Sequence, residues 1–488
     1  MHRAFLFAFV LLSFAQTGCI QSAETRLVNA AAEAMGGKER ILAAKTLVIE
    51  GNGTSPNLGQ NRTPEDELPV WKVTNFKRSI DLVNRRSRTQ QRRDAQFLFA
   101  GATTQSLNQG LDGDVAYNIT EDGNASRAST QAADERRIEM LHHPLMAIRA
   151  ALEPGATMGA PRQKGDLQTI DFTTARGDAL TLAIDNVTKL PHSVTTLSYN
   201  PNLGDVAIET VFEDYETSGG LKLPRTLRTK IDKYSQFDLR VERNSVDGAI
   251  ENMEAPAPVK ASPPPVAPPV TVTAEPVAKG IWWLAGSGNH RSVLFEFDDH
   301  LTLFEVPLNE TRSKAVIDKA RETVPGKPLT QAIISHHHFD HSGGLRVAVA
   351  EGLTIITYAG NVALFKELLE RKHSIVEDEL ARNPHVAQFL PVSDHLTLKD
   401  NSMEVDLYYT KDNPREGTNL FAYVPKDKIL VQADLYDSTW LQHPWGDNLA
   451  HNIALRHLVV DKDVPVHGDI ETYAKVLQTI ASKKGGQK

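Results

Sequence analysis

The sequence predicts two modules of different class: an α+β half-barrel-like module, then an α/β module whose two sheets are sandwiched between helix layers. Three observations carry this. Eight prolines fall between Glu254 and Pro276 and divide the chain. Before them, short runs alternate apolar with polar residues, as half-buried antiparallel strands do. After them, apolar strand-like runs are interleaved with stretches of helical periodicity.

The 488 residues allow two or three domains, and 41% hydrophobic with 23% charged residues is ordinary for a globular protein. The net charge of -8 and a pI near 6.1 argue against a nucleic-acid partner, which would call for a basic footprint. The basic runs Arg85-Arg86-Ser87-Arg88 and Arg92-Arg93 read as one solvated face of a strand.

Residues 1–23 read as an export signal. Met1-His2-Arg3 is a short positive start, and Ala4 to Ala15 is almost wholly apolar but too short to span a membrane. Ser13-Phe14-Ala15 suits cleavage and soluble export to the periplasm. Thr17-Gly18-Cys19 suits a membrane-anchored lipoprotein lipidated at Cys19. Cys19 is the single cysteine, so the mature chain has no disulfide and no thiolate ligand.

Residues 24–250 form the first module. Glu24 to Met35 is a helix closed by Gly36-Gly37. Strands are expected at 47–49, 78–82, 96–100, 116–120, 167–172, 180–184, 193–199, 207–215 and 225–233, with one helix at about 133–151. This element order resembles the LolA-like half-barrels of bacterial envelope proteins. The resemblance implies a cavity for a lipid or lipoprotein; a scaffold without ligand fits equally well.

Residues 254–276 should be an extended polyproline connector containing no helix and no central strand. Residues 277–485 form the second module. Strands are expected at 280–285 and 292–305, a helix at 315–324, a strand at 331–334, a helix from Gly343, a strand at 353–358 and a helix at 361–371. Strands at 404–410, 419–424 and 428–432 and a last helix at 473–482 complete it.

The chemistry is concentrated in Ser335-His336-His337-His338-Phe339-Asp340-His341-Ser342-Gly343-Gly344. An apolar strand, Gln331 to Ile334, ends where the ligand types begin, and in α/β folds sites form at such strand ends. His336 and His338, two apart, point to one side of an extended segment. Asp340 and His341 converge from the following turn. Imidazole with carboxylate suits Zn, with Fe or Mn as alternatives. His337 has the wrong parity and supports the others or faces solvent.

The H-x-H-x-D-H pattern, between a strand and Gly-Gly, resembles the first motif of the metallo-β-lactamase-fold hydrolases. That likeness implies an αββα metallo-β-lactamase sandwich over 277–485. It also implies a bridging carboxylate at Asp434, after Ile429-Leu430-Val431-Gln432, and a last histidine at His467. The metal ligands would be His336, His338, Asp340, His341, Asp434 and His467, with Asp340 or Asp434 orienting the nucleophile.

Relatives carry another histidine upstream of the bridging aspartate. Arg415 matches that place best here, and guanidinium cannot ligate a metal. The second site then looks complete and the first incomplete, which allows one or two zinc ions. Asp412, His443 or His451 would fill the gap, or Arg415 would grip an anionic part of the substrate. Trp440 and Trp445 are placed to wall the cleft.

The implied function is an exported metal-dependent hydrolase acting on a small-molecule ester, lactone, amide, or phosphate or sulfate ester. A catalytically degenerate envelope binding protein on the same fold is the alternative.

Overall fold

A computed structural model describes residues 21–483. The export signal, including Cys19, lies almost wholly outside the described residues. Among these, no helix is long and apolar enough to cross a membrane.

The first module is built on one 14-stranded antiparallel sheet. Its first strand, Thr46–Pro56, pairs with both Val70–Asp81 and Tyr234–Val246, so the start and end of the module meet in mid-sheet. The opening helix, Ala23–Met35, ends at Gly36, whose φ of 125° suits glycine. The helix expected at 133–151 is two helices, Thr130–Leu141 and Pro144–Leu152. Pro144 cannot donate within a helix but suits a first turn, where the His143 side chain accepts from Leu145 N at 3.3 Å. Both helices and the opening helix bury their apolar faces against the sheet.

Three long strands of the first module were invisible to the apolar pattern. Arg86–Ala95 and Thr104–Asp112 are nearly all polar, and Tyr234–Val246 is mixed. Backbone pairing supplies the missing order, since neighbouring strands fix each one on both sides. The run 96–100, expected as a strand, is instead irregular.

The proline-rich segment departs from expectation at two places. Ala257–Ala261 is a short helix, and Val272–Ala278 is a strand. Pro258 sits in the first helical turn, where no N–H is needed. Pro276 lies on the edge strand of the second module's larger sheet, which tolerates a missing donor. The segment is also docked: Tyr117 donates to Met253 O at 2.9 Å, and Ala255 N donates to Asp112 Oδ2 at 3.0 Å.

The second module has a seven-stranded and a six-stranded sheet. Alternation along the strands sorts residues to the two faces. Leu420, Ala422, Ile429 and Val431 point toward Phe295, Phe304 and Ile333 of the other sheet. Phe421 and Leu430 point outward to Leu449, Ile453, Val476 and Ile480 on the helices Gly446–Leu455 and Tyr473–Ser482. The larger sheet is covered by Glu310–Thr323, Leu345–Ala350 and Val362–Glu370, through Val316, Ile317 and Phe365 among others. The result is an αββα sandwich. Each buried Leu, Ile or Phe contributes about 1.5–3 kcal/mol by leaving water.

Strands Leu301–Phe304, Leu329–Ile333, Thr354–Tyr358 and Gln388–Val392 run parallel, as do Ile429–Gln432 and Lys462–Pro465. Their carboxyl ends deliver Glu305, Ser335 to His338, Asp434 and His467 to one edge of the sandwich.

Candidate metal centre

Glu305 and Asp434 stand just past strand ends with φ of 74° and 58°. Left-handed backbone at a non-glycine residue costs on the order of 1–3 kcal/mol, and it turns both carboxylates back over the sheet edge. The strand 329–333 runs straight into His336, His337 and His338, all fully buried. A single turn, Phe339–Ser342, brings Asp340 and His341 back beside them.

Among the described residues two clusters result, joined by a third group of His336, His341 and Asp434. His290, Asp340, His341 and His467 each offer a ligand atom, all within 4.8 Å of one another; so do His336, His338 and Glu416. Asp434 lies between the clusters. Its Oδ1 is 3.2 Å from His341 Nε2 and 3.1 Å from His467 Nε2, and its Oδ2 is 3.9 Å from His336 Nε2.

The donor set fits divalent cations. His341 Nδ1 donates to Glu305 Oε2 at 2.7 Å, and His467 Nδ1 donates to Asn289 O at 2.6 Å. Each ring is thereby oriented to offer its Nε2 to a metal, and the two atoms lie 3.3 Å apart. Metal-binding imidazoles anchor their other nitrogen in this way. In the other cluster His336 Nε2, His338 Nδ1 and Glu416 Oε2 are buried without hydrogen-bond partners, although His338 Nε2 lies 2.8 Å from Glu416 Oε2. Burial alone would raise the carboxyls of Asp340, Asp434 and Glu416. The surrounding imidazoles, with Arg415 beside Asp434, hold all three well below the ordinary carboxylate range.

All six histidines and aspartates expected as ligands therefore come together. The gap in the first cluster is filled differently from the sequence reading. Glu416 takes it, one residue beyond Arg415. Asp412 is exposed, His451 lies on an exposed helix face, and His443 is buried against Tyr436 at 5.0 Å between ring centroids. Glu416 is anchored by Thr418, whose N and Oγ1 donate to Oε1 at 2.9 and 2.7 Å.

Arg415 points to the other side of the centre. Its Nη2 donates to Asp434 Oδ2 at 3.0 Å and to Gln60 Oε1 at 3.1 Å, while Nε has no partner. Trp445 lies 5.2 Å beneath the guanidinium and donates its Nε1 to Asp434 O at 2.8 Å. Trp440 backs Trp445 at 5.1 Å. His337 is buried, 2.9 Å from Thr418 Oγ1 and 3.5 Å from Glu416 Oε1, and so supports the cluster from behind.

The first module also reaches the centre. Its loop 57–69 lies over the second module. Phe339 N donates to Gly59 O at 3.3 Å, and Gly417 N donates to Arg62 O at 2.7 Å. Gln60 Nε2 donates to Asp340 Oδ1 at 2.8 Å, and His338 Nε2 donates to Asn61 O at 3.0 Å. Gly59 is required here: its φ is +72°, and an added Cβ would meet the Phe339 ring at 2.4 Å. Sequence reasoning missed His290, Glu305, Glu416, Gln60 and Asn61. Glu416 carried a usable signal, a carboxylate adjacent to the expected ligand place. Gln60 and Asn61 carried none.

Residues 285–414 match the family model described as the metallo-beta-lactamase superfamily. With this architecture, the C-terminal half of the chain is a metallo-β-lactamase-fold module. The family match leaves the N-terminal module outside, so its likeness to LolA-like half-barrels gains no support.

Over 105 residues the chain is 29% identical to a linear primary-alkylsulfatase from Pseudomonas sp., covering 22% of this chain. That match spans only 15% of the sulfatase's length. A metallo-beta-lactamase from Pontibacter korlensis aligns at 14% identity and a TM-score of 0.36, over 44% of this chain and 100% of its own. The flavodiiron core of Flv1 from Synechocystis sp. aligns at 16% identity and a TM-score of 0.36, over 44% of this chain and 62% of its own.

Proposed function

We propose that this protein is an exported, metal-dependent hydrolase of sulfate esters with an alkyl leaving group. The observation that carries the choice of ester is Arg415: a guanidinium at the edge of the centre, its side chain 12% exposed, held by Asp434 and Gln60 through Nη2 alone. Such a group suits an anionic oxygen of the substrate, because guanidinium donates in a fixed fork matched to oxyanions. The partial likeness to an alkylsulfatase points the same way.

His336, His338 and Glu416 would hold one cation, and Asp340, His341 and His467 a second, with Asp434 between and zinc the expected metal. Bound there, divalent cations lower the pKa of water toward neutrality and polarise the ester oxygen. Asp340, held by Gln60 and His290, would orient the attacking water. Arg415 holds the sulfate, and Trp445 fixes the guanidinium plane. Water and the alkyl sulfate give the alcohol and hydrogen sulfate.

The test is sulfate release from dodecyl sulfate by the metal-replete full chain, with a phosphate monoester, an acetate ester and a β-lactam as comparisons. Sulfate should be released fastest, and Asp340→Ala should abolish it. A fully metallated protein that releases no sulfate but cleaves another of these esters would refute the choice of ester.

A further inference from the structure

Two segments of the second module, 335–341 and 413–418, carry the candidate ligands of the first cation and their supports. The loop 57–69 of the first module bonds to both. Gly59 O accepts from Phe339 N at 3.3 Å, Arg62 O accepts from Gly417 N at 2.7 Å, and Arg62 Nε donates to Asn413 O at 3.3 Å. The approach is close from the second module's side too: a Cβ on Gly417 would meet Thr63 Cγ2 at 2.9 Å. Leu58 packs against the same apolar core as Phe339.

The loop is ordered from within. Asn61 is buried, and its Nδ2 donates to Thr63 O at 2.6 Å and to Asp66 O at 3.4 Å. Asp66 N donates to Thr63 O at 3.1 Å, and Asn57 N closes the base on Pro69 O at 2.8 Å. An Asn side chain bonded to nearby carbonyls of its own loop offers the backbone an alternative to helix or sheet.

This order aims one atom. Asn61 O accepts from His338 Nε2 at 3.0 Å. Glu416 Oε2 competes for the same N–H, since it lies 2.8 Å from that nitrogen. The bond goes to Asn61 O, and Glu416 Oε2 stays buried without a hydrogen-bond partner, as does His338 Nδ1. With the proton held on Nε2, the imidazole offers a cation its Nδ1 lone pair. If the loop withdrew, the N–H would turn to Glu416 Oε2, and one ligand of the first cation would engage another.

We propose that the loop 57–69 is a positioning element of the metal centre: through Asn61 O it orients His338 and keeps Glu416 free, and so sets the affinity of the first cation site. The first module is then part of the centre, although it supplies none of the ligands. The proposal rests on the reading of these residues as a two-cation centre and not on the choice of ester.

The experiment is titration of the chelator-stripped, full-length protein with zinc against the chromogenic chelator 4-(2-pyridylazo)resorcinol, which reads both sites without a substrate. Losing the outer hydrogen bond of a metal-binding histidine lowers affinity about 10–100-fold. Asn61→Ala, which frees the loop without altering the second module, should weaken one zinc equivalent at least tenfold and leave the other within about threefold, with two still bound at saturating zinc. Asn61→Asp, which keeps the size but loses the donors, should do the same. Glu416→Ala should retain one equivalent, and adding Asn61→Ala to it should leave that affinity within about threefold. Circular dichroism reports whether each variant has folded. A folded Asn61→Ala or Asn61→Asp that holds both equivalents as tightly as the unaltered protein would overturn the proposal. So would equal weakening of both equivalents, which would make the loop a support of the whole fold. An unaltered protein that takes up no zinc would overturn the two-cation reading and the proposal together.

Discussion

Replacing Arg415 separates recognition of an anionic substrate from maintenance of the centre. In Arg415→Gln the fork that faces the substrate loses its charge. A hydrogen bond from a charged donor is worth about 1.5–3 kcal/mol, which is about 10- to 150-fold in kcat/KM. That loss should fall on the sulfate ester. A neutral acetate ester, with no anionic oxygen, should lose less than about threefold. Arg415→Lys should recover part of the loss, since it keeps the charge but not the fork.

Asp434 also loses its ion-pair partner, and breaking a buried pair costs about 3–5 kcal/mol of stability. Kinetics on both substrates must therefore be read beside urea unfolding and metal content. If the two substrates fall together while the protein stays folded and fully metallated, Arg415 serves Asp434 alone and the assignment to substrate fails.

Two other perturbations follow from particular contacts. Asp463 is fully buried on the strand 462–465; burial raises its carboxyl to about 8, although Gln432 donates to it at 3.2 Å. The folded state thus holds a proton that the unfolded chain gives up near pH 4, so stability falls as pH rises from about 4 to about 8. The span corresponds to on the order of 5 kcal/mol; Asp463→Asn should flatten the urea-midpoint profile across that window, and an unchanged profile would refute it. Gly59→Ala adds a Cβ 2.4 Å from the Phe339 ring at a φ of +72°. It should cost about 1–3 kcal/mol of stability and move Gln60 off Asp340. The measured consequence should be a lower kcat at unchanged metal content, and an unaltered kcat would mean that the loop only covers the site.

The second fold was the more legible because its signals are local. His336, His338, Asp340 and His341 share one strand end, and Asp434 and His467 follow apolar strands whose ends are visible in sequence. The first module hides strands such as Arg86–Ala95, because a strand held between two neighbours does not need an apolar face. Glu416 was missed by one position. The loop 412–418 has no periodicity to set its register, and its direction comes from Asn413, whose Oδ1 accepts from both Arg415 N and Glu416 N at 2.9 and 3.1 Å. Gln60 lies 280 residues from Asp340 in sequence, and only the packing of the modules brings them together.

The two-cation centre completed by Glu416 is tested most directly by metal analysis of purified protein and of Glu416→Ala, with His336 and His338 intact. Two equivalents per chain are expected for the unaltered protein and one for the variant, with Asp340, His341, Asp434 and His467 retaining theirs. An unaltered chain that binds a single ion, or a folded Glu416→Ala that still binds two, would contradict it.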